Sequence, residues 1–202
     1  MSHRRLLSLA FILTASILPA LAVAPGTPAP DFKGTDSNGV QHSLSEYRGK
    51  YVVLEWANKG CPYDQTHYLS GSMENLQKEW TAKGVIWLSV ISSAPGQQGY
   101  VTPAEENTYI KSMHVASTAV LLDPTGAIGR LYEAKTTPHM FVIDPTGKLI
   151  YQGALDNKPT TEQADLKGAD NYLNDALNAA MAGKPVPVAS TRPYGCSVKY
   201  AH

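Results

Sequence analysis

Tyr51-Val-Val-Leu-Glu-Trp-Ala-Asn-Lys-Gly-Cys-Pro-Tyr-Asp64 is the stretch that decides the fold. Tyr51 to Trp56 is apolar on both faces apart from Glu55, as a central buried strand is. Gly60 turns the chain, and Pro62 suits the first position of a helix, where its missing N–H would be unpaired anyway. Cys61 then falls at or beside the N-cap. There the free backbone N–H groups and the positive end of the helix dipole both favour a thiolate. Strand, turn and helix together place the sulfur at the end of a sheet, where α/β folds bind their ligands.

Working outward, Leu69, Met73, Leu76 and Trp80 share one helical face, which predicts a single helix from Pro62 to a stop at Gly84. Val85 to Ile91 reads as a second buried strand. Ser92 to Pro103 is turn-rich, and a loop of that length in a compact domain is either functional or a solvated insertion. A helix is expected from Thr102 or Pro103 through Met113. A short strand, Ala119 to Leu122, follows, then a turn at 123–126 and a short helix from Ala127 to Ala134. Thr136 to Asp144 reads as a strand led by Thr137-Pro138, turning back at 144–147 into an antiparallel partner that ends at Gly153. Leu166, Leu173, Leu177 and Ala180 line a last helix. Before the opening stretch, Asn38-Gly39 signals a hairpin, and Ser43 with Glu46 makes a capping pair.

The 202 residues carry 17 Lys plus Arg against 17 Asp plus Glu. Residues 1–22 join a basic start (Arg4, Arg5) to an apolar run and the small-x-small site Ala20-Leu21-Ala22, which reads as a secretory signal cleaved after Ala22. The expected mature chain has 180 residues, enough for one domain with a core, and a formal charge of about −2. It has no basic stripe for nucleic acid and no second run long enough to span a membrane. The expected organisation is a signal peptide (1–22), a domain (23–183) and a tail (184–202), in a soluble protein that is periplasmic or secreted. Both cysteines, Cys61 and Cys196, belong to the mature region, and in an oxidising compartment two cysteines suggest one disulfide.

The element order alternates strands and helices and then closes with a hairpin, so the sheet is mixed and has helices on both faces. With a cysteine at the first strand–helix turn and Thr137-Pro138 before a later strand, the chain resembles the redoxin branch of the thioredoxin superfamily, the peroxiredoxin-like and thiol-specific-antioxidant-like proteins. The resemblance runs from about Ala29 to Tyr200. It rests on Ala29-Pro-Asp-Phe32, Gly60-Cys-Pro-Tyr63, Thr137-Pro138, Phe141-Val-Ile-Asp144 and the ending Gly195-Cys-Ser-Val-Lys-Tyr200. It implies a three-layer α/β/α thioredoxin-like fold with an N-terminal β-hairpin extension, and a cis peptide before Pro138 packed against Cys61. No cofactor and no metal are expected from the residues: Asp64 and His67, one helical turn apart, lack further ligands.

The departures from that family narrow the chemistry. Asp64 stands where thioredoxin-type reductases carry their second cysteine. Asn58 and Leu54 stand where peroxiredoxins carry a threonine and a proline, so the peroxide-orienting hydroxyl is missing or replaced by Asn58. Gln97 or Gln98 faintly resembles the glutamine of glutathione-peroxidase-like enzymes. The leading expectation is a thiol peroxidase that reduces hydroperoxides. Cys61 attacks, activated by the helix start and by Lys59; His67, six residues on and not obviously on the same face, reads as a structural or surface residue before an activating one. Cys196 resolves the sulfenic acid, and Asn58, Gly60, Pro62, Thr137 and Pro138 support the site. A reducing thiol protein would supply electrons. The alternative substrate is a protein disulfide. A third possibility is a binding module with a structural Cys61–Cys196 staple, worth about 4–5 kcal/mol for a loop of roughly 135 residues.

Overall fold

The computed structural model describes residues 23–201; the expected signal peptide lies outside them. Nine strands and five helices follow in chain order: β1 (Lys33–Asp36), β2 (Gln41–Ser43), β3 (Val52–Trp56), α1 (Pro62–Leu69), α2 (Ser72–Ala82), β4 (Ile86–Ile91), α3 (Pro103–Ser112), β5 (Ala119–Leu122), α4 (Ala127–Leu131), β6 (Thr136–Thr137), β7 (His139–Ile143), β8 (Leu149–Gly153), α5 (Tyr172–Met181) and β9 (Cys196–Ser197). The main sheet runs β2-β1-β5-β4-β3-β7-β8. β3 pairs in parallel with β4, and β4 with β5, across helical crossovers; β7 runs antiparallel to β3, and β8 antiparallel to β7. This is the thioredoxin-like α/β/α arrangement. The β1–β2 hairpin extends the sheet by pairing β1 with β5, and Asn38-Gly39 lies in its turn.

The central strand shows why the sheet is buried on both sides. Val52, Leu54 and Trp56 join a core with Phe32, Leu44, Ile128 of α4, Tyr132 and Phe141. Val53 joins the opposite core, with Tyr68 of α1, Met73 and Trp80 of α2, and Leu173 and Leu177 of α5. Glu55 shares that second face. It is fully buried, and four donors converge on it: Tyr68 Oη at 2.7 Å, Gln77 Nε2 at 3.0 Å, Trp87 Nε1 at 2.7 Å and Ser89 Oγ at 2.9 Å. The polar exception in an apolar strand is therefore the knot tying α1, α2 and β4 to β3.

Three expectations are corrected. The single helix predicted from Pro62 is two helices, because Gly71 adopts φ +74°, a left-handed conformation that breaks the ladder and re-aims the chain. Leu69 consequently leaves the shared face and is 60% exposed, while Met73 and Trp80 stay buried. Leu166 is not part of the last helix. It closes a separate 3₁₀ turn, and α5 starts at Tyr172, capped by Asn171 Oδ1 accepting from Asn174 N–H. α4 also ends at Leu131, short of the expected Ala134. The other caps follow the sequence: Ser43 N–H donates to Glu46 Oε2 at 2.8 Å, and Thr102 and Glu105 form a capping box on α3.

Candidate active site

Cys61 is the N-cap of α1, with Pro62 at the first helical position. Its side chain is fully buried. The Thr137–Pro138 peptide is cis, and Cys61 Sγ donates to the Thr137 carbonyl at 3.1 Å. Thr137 is also the residue against which the tail docks: β9 pairs antiparallel with β6, with Thr137 opposite Cys196 and Thr136 opposite Ser197. The two cysteines, 135 positions apart in the chain, thus meet at one residue. Both are free thiols.

The environment separates their acidities. Burial alone would push the Cys61 thiol up, but the Cys196 thiol and the backbone N–H groups of Asp64 and Cys196 hydrogen-bond the sulfur and hold its pKa below the ordinary cysteine value. Cys196 is pushed up to about 12, by desolvation and then by Cys61 itself. The acidities of the two neighbouring thiols are thereby moved in opposite directions.

The remaining expected site residues fall as follows. Gly60 is held from both sides: its N–H donates to Asn58 Oδ1 at 2.8 Å, and its carbonyl accepts from Gln98 Nε2 at 2.7 Å. The turn-rich loop is thereby clamped onto the cysteine loop. Asn58 is buried, and its amide is committed to Gly60 and to the Gln98 carbonyl, so it organises the loop. Pro62 is exposed at the helix start, Thr137 is buried, and Lys59 is half-buried. His67 is 1% exposed and faces the tail: Nε2 lies 3.2 Å from Tyr194 Oη and 3.9 Å from Asp156 Oδ2, and Nδ1 lies 3.3 Å from Ser72 Oγ. It anchors the tail rather than facing the sulfur.

Two features escaped the sequence reading. The first is how firmly the tail is seated. Tyr194 Oη donates to Asp156 at 2.6 Å, its ring packs on Tyr63, Ala94 N–H donates to the Lys199 carbonyl, and Tyr200 Oη donates to the Ala134 carbonyl at 2.8 Å. At Gly195 (φ +120°) a Cβ would stand 2.1 Å from the Thr137 oxygen, so only glycine lets the tail lie this close to the cis peptide. The glycine before Cys196 was visible in the sequence as a hint of such an approach. The second is Asp64, which is 1% exposed. Its Oδ2 accepts the Asn58 N–H and its Oδ1 has no partner.

A thioredoxin-like sheet with a cysteine capping the first crossover helix and a cis-proline loop against its sulfur defines a redoxin. The chain belongs to the AhpC/TSA family, which it matches over residues 25–152. It is similar to the thiol-disulfide oxidoreductase ResA of Bacillus subtilis (strain 168), 26% identical over 64% of this chain and 66% of that protein. It is also similar to the thioredoxin-like protein YneN of the same organism, 28% identical over 72% of this chain and 82% of that protein. In fold it matches the crystal structure of an uncharacterized conserved protein from Geobacillus kaustophilus, with a TM-score of 0.77 and 23% identity, covering 89% of this chain and 93% of that one. Among the described residues no helix is long and apolar enough to cross a membrane.

Proposed function

We propose that the protein is a thiol–disulfide oxidoreductase working through a Cys61–Cys196 couple, exported after removal of residues 1–22 and acting in the periplasm or outside the cell. In this reading residues 23–183 are the catalytic domain and 184–202 the tail that delivers the second thiol. The observation that carries it is the β6–β9 pairing, which sets Cys196 opposite the residue whose carbonyl Cys61 contacts. The split acidities and the similarity to ResA support it.

The Cys61 thiolate attacks one sulfur of a substrate disulfide and expels the other as a thiolate, forming a mixed disulfide. Cys196, once deprotonated, attacks Cys61 Sγ and releases the second substrate thiolate. The substrate disulfide gains two electrons as two thiols, and the protein, having lost them, is left as a Cys61–Cys196 disulfide. A reducing thiol protein returns the couple to the dithiol. Asn58, Gly60, Pro62, Thr137 and Pro138 hold the loops against which this exchange occurs.

A second reading, hydroperoxide reduction, is favoured by one observation. Cys61 is fully covered, an enclosure that suits a small oxidant better than a protein. Peroxide would convert the thiolate to a sulfenic acid, and Cys196 would displace water from it to give the same disulfide. Leading the sequence expectation, this reading now stands second: the named relative is a disulfide oxidoreductase, and the Asn58 amide is engaged elsewhere.

The test compares single turnovers of reduced protein with a disulfide-bonded model protein and with hydrogen peroxide. The proposal expects faster reaction with the disulfide, abolition in Cys61→Ser, and a trapped mixed disulfide in Cys196→Ser. Faster reaction with peroxide, with a sulfenic acid trapped in Cys196→Ser, would establish the second reading instead. Reaction with neither, together with a disulfide that resists mild dithiol, would leave the structural staple.

A further inference from the structure

We propose that the cavity between β6–β7 and the strap of residues 190–193 binds a small organic monocarboxylate, and that the bound ligand holds the tail down. The inference goes beyond the thiol–disulfide function and does not depend on it. The observation that carries it is His139, the first residue of β7, which is 5% exposed and lines this cavity of about 470 Å³. The Lys135 N–H donates to His139 Nδ1 at 3.3 Å, and a backbone N–H can only donate. The neutral ring therefore carries its proton on Nε2. Among the described residues that Nε2–H meets no acceptor; its close neighbour is the Phe141 ring, 4.4 Å between centroids. Burial, then the charge of Lys135, push the His139 pKa down to about 3, so the ring stays a neutral donor. A buried donor left without an acceptor is costly. A water molecule would satisfy the imidazole alone, but the rest of the lining selects for charge.

Two cations line the same cavity. Lys135 stands just before β6, and Arg192 lies in the strap. Among the described residues neither takes part in an ion pair. Glu133 also lines the cavity, and its side chain is exposed. Two cations against one acid match a single carboxylate, whereas a dianion would face Glu133 with its second charge. The Arg192 guanidinium is a fork suited to both carboxylate oxygens, and His139 Nε2–H supplies a further donor. The hydroxyls nearby are already committed: Tyr132 Oη donates to the Pro30 carbonyl at 2.6 Å, and Thr136 Oγ1 to the Pro138 carbonyl at 3.0 Å. Tyr132 therefore offers its ring, which with Val23 and Pro193 gives an apolar wall for an organic body.

The ligand would touch two parts of the chain that only tertiary contacts join. Lys135 and His139 flank the cis-proline loop. Arg192 belongs to the strap, which Thr191 fastens to β8: its N–H donates to the Gln152 carbonyl at 3.1 Å, and its Oγ1 accepts the Ala154 N–H at 2.8 Å. Directly after the strap come Tyr194, Gly195 and Cys196, the segment docked on β6. A carboxylate gripped from both sides binds only while the strap is seated, so by linkage its binding opposes lifting of the tail.

The test titrates the reduced, ¹⁵N-labelled protein with benzoate, with benzamide as the neutral isostere and inorganic sulfate as a bare anion. Benzoate should bind in the millimolar range or tighter and shift the imidazole resonances of His139, whose ¹⁵N pattern should be that of the Nε2–H tautomer. Arg192→Gln and Lys135→Gln, both at exposed positions, should each weaken binding about tenfold, with urea midpoints unchanged. At ten times the dissociation constant, amide exchange at Thr191 should slow about tenfold. No binding of benzoate at tens of millimolar would overturn the site. So would equal binding of benzamide or of sulfate, undiminished binding in both charge variants, or a His139 resonance of the wrong tautomer or unmoved by benzoate. Binding with unchanged exchange at Thr191 would overturn the hold on the tail. Each readout is independent of Cys61 chemistry, so failure here leaves the thiol–disulfide reading to its own test.

Discussion

At the scale of residues the site is a pair of unequal thiols. Cys61 is acidified in spite of its burial because the Cys196 thiol and two backbone N–H groups donate to its sulfur. Removing one of these donors has a predictable sign. In Cys196→Ala the thiolate loses a hydrogen bond, so the Cys61 pKa rises and its alkylation near neutral pH slows. Titration of the thiolate absorbance in wild type and variant measures the shift. A lowered Cys61 pKa in the variant would mean that the tail acts on Cys61 by desolvation and not by hydrogen bonding.

At the scale of elements, two buried carboxylates play opposite parts. Glu55 is the fastening between β3, α1, α2 and β4. Glu55→Gln places an amide N–H₂ among four donors and should destabilise the protein by on the order of 2–4 kcal/mol in urea unfolding. Glu106 of α3 has no such partners: it is 3% exposed, Oε2 is unpartnered, and burial raises its pKa to about 7. The folded state keeps this proton where the unfolded chain has lost it. Its contribution to stability is therefore intact below about pH 4.5, the ordinary glutamate value, and is lost as pH rises through about 7. Glu106→Gln should abolish that loss. Relative to wild type, the variant gains on the order of 2–3 kcal/mol between pH 4 and pH 8, read from urea midpoints at both pH values.

At the scale of the whole molecule, the tail is a structural part of the site. Residues 194–200 lie across the cis-proline loop, held by Tyr194 on His67 and Asp156, by Lys199 on Ala94 and by Tyr200 on Ala134. Gly195→Ala drives a methyl group into the Thr137 carbonyl and should unpair β9 from β6. Cys61 should then be alkylated faster in the native protein, and formation of the Cys61–Cys196 disulfide should slow at least tenfold. The fold itself should survive at a cost of roughly 1–3 kcal/mol. Retention of wild-type alkylation and closure rates would show that the tail reaches Cys61 without the β6–β9 pair.

Across the whole chain, what the sequence determined was local or periodic. Alternating elements, a proline after Cys61 and an apolar central strand dictate a mixed sheet with a cysteine at a helix start, because strand burial and helix capping are written in adjacent residues. The break at Gly71 was harder to read, since Leu69 continues the helical spacing across it and only the backbone conformation disrupts the face. The meeting of Cys61 with Cys196, the turning of His67 toward the tail and the partnerless oxygen of Asp64 belong to the tertiary structure alone. Each depends on which groups packing brings together from distant positions, and on where burial removes the water that would otherwise satisfy them; no periodicity encodes either.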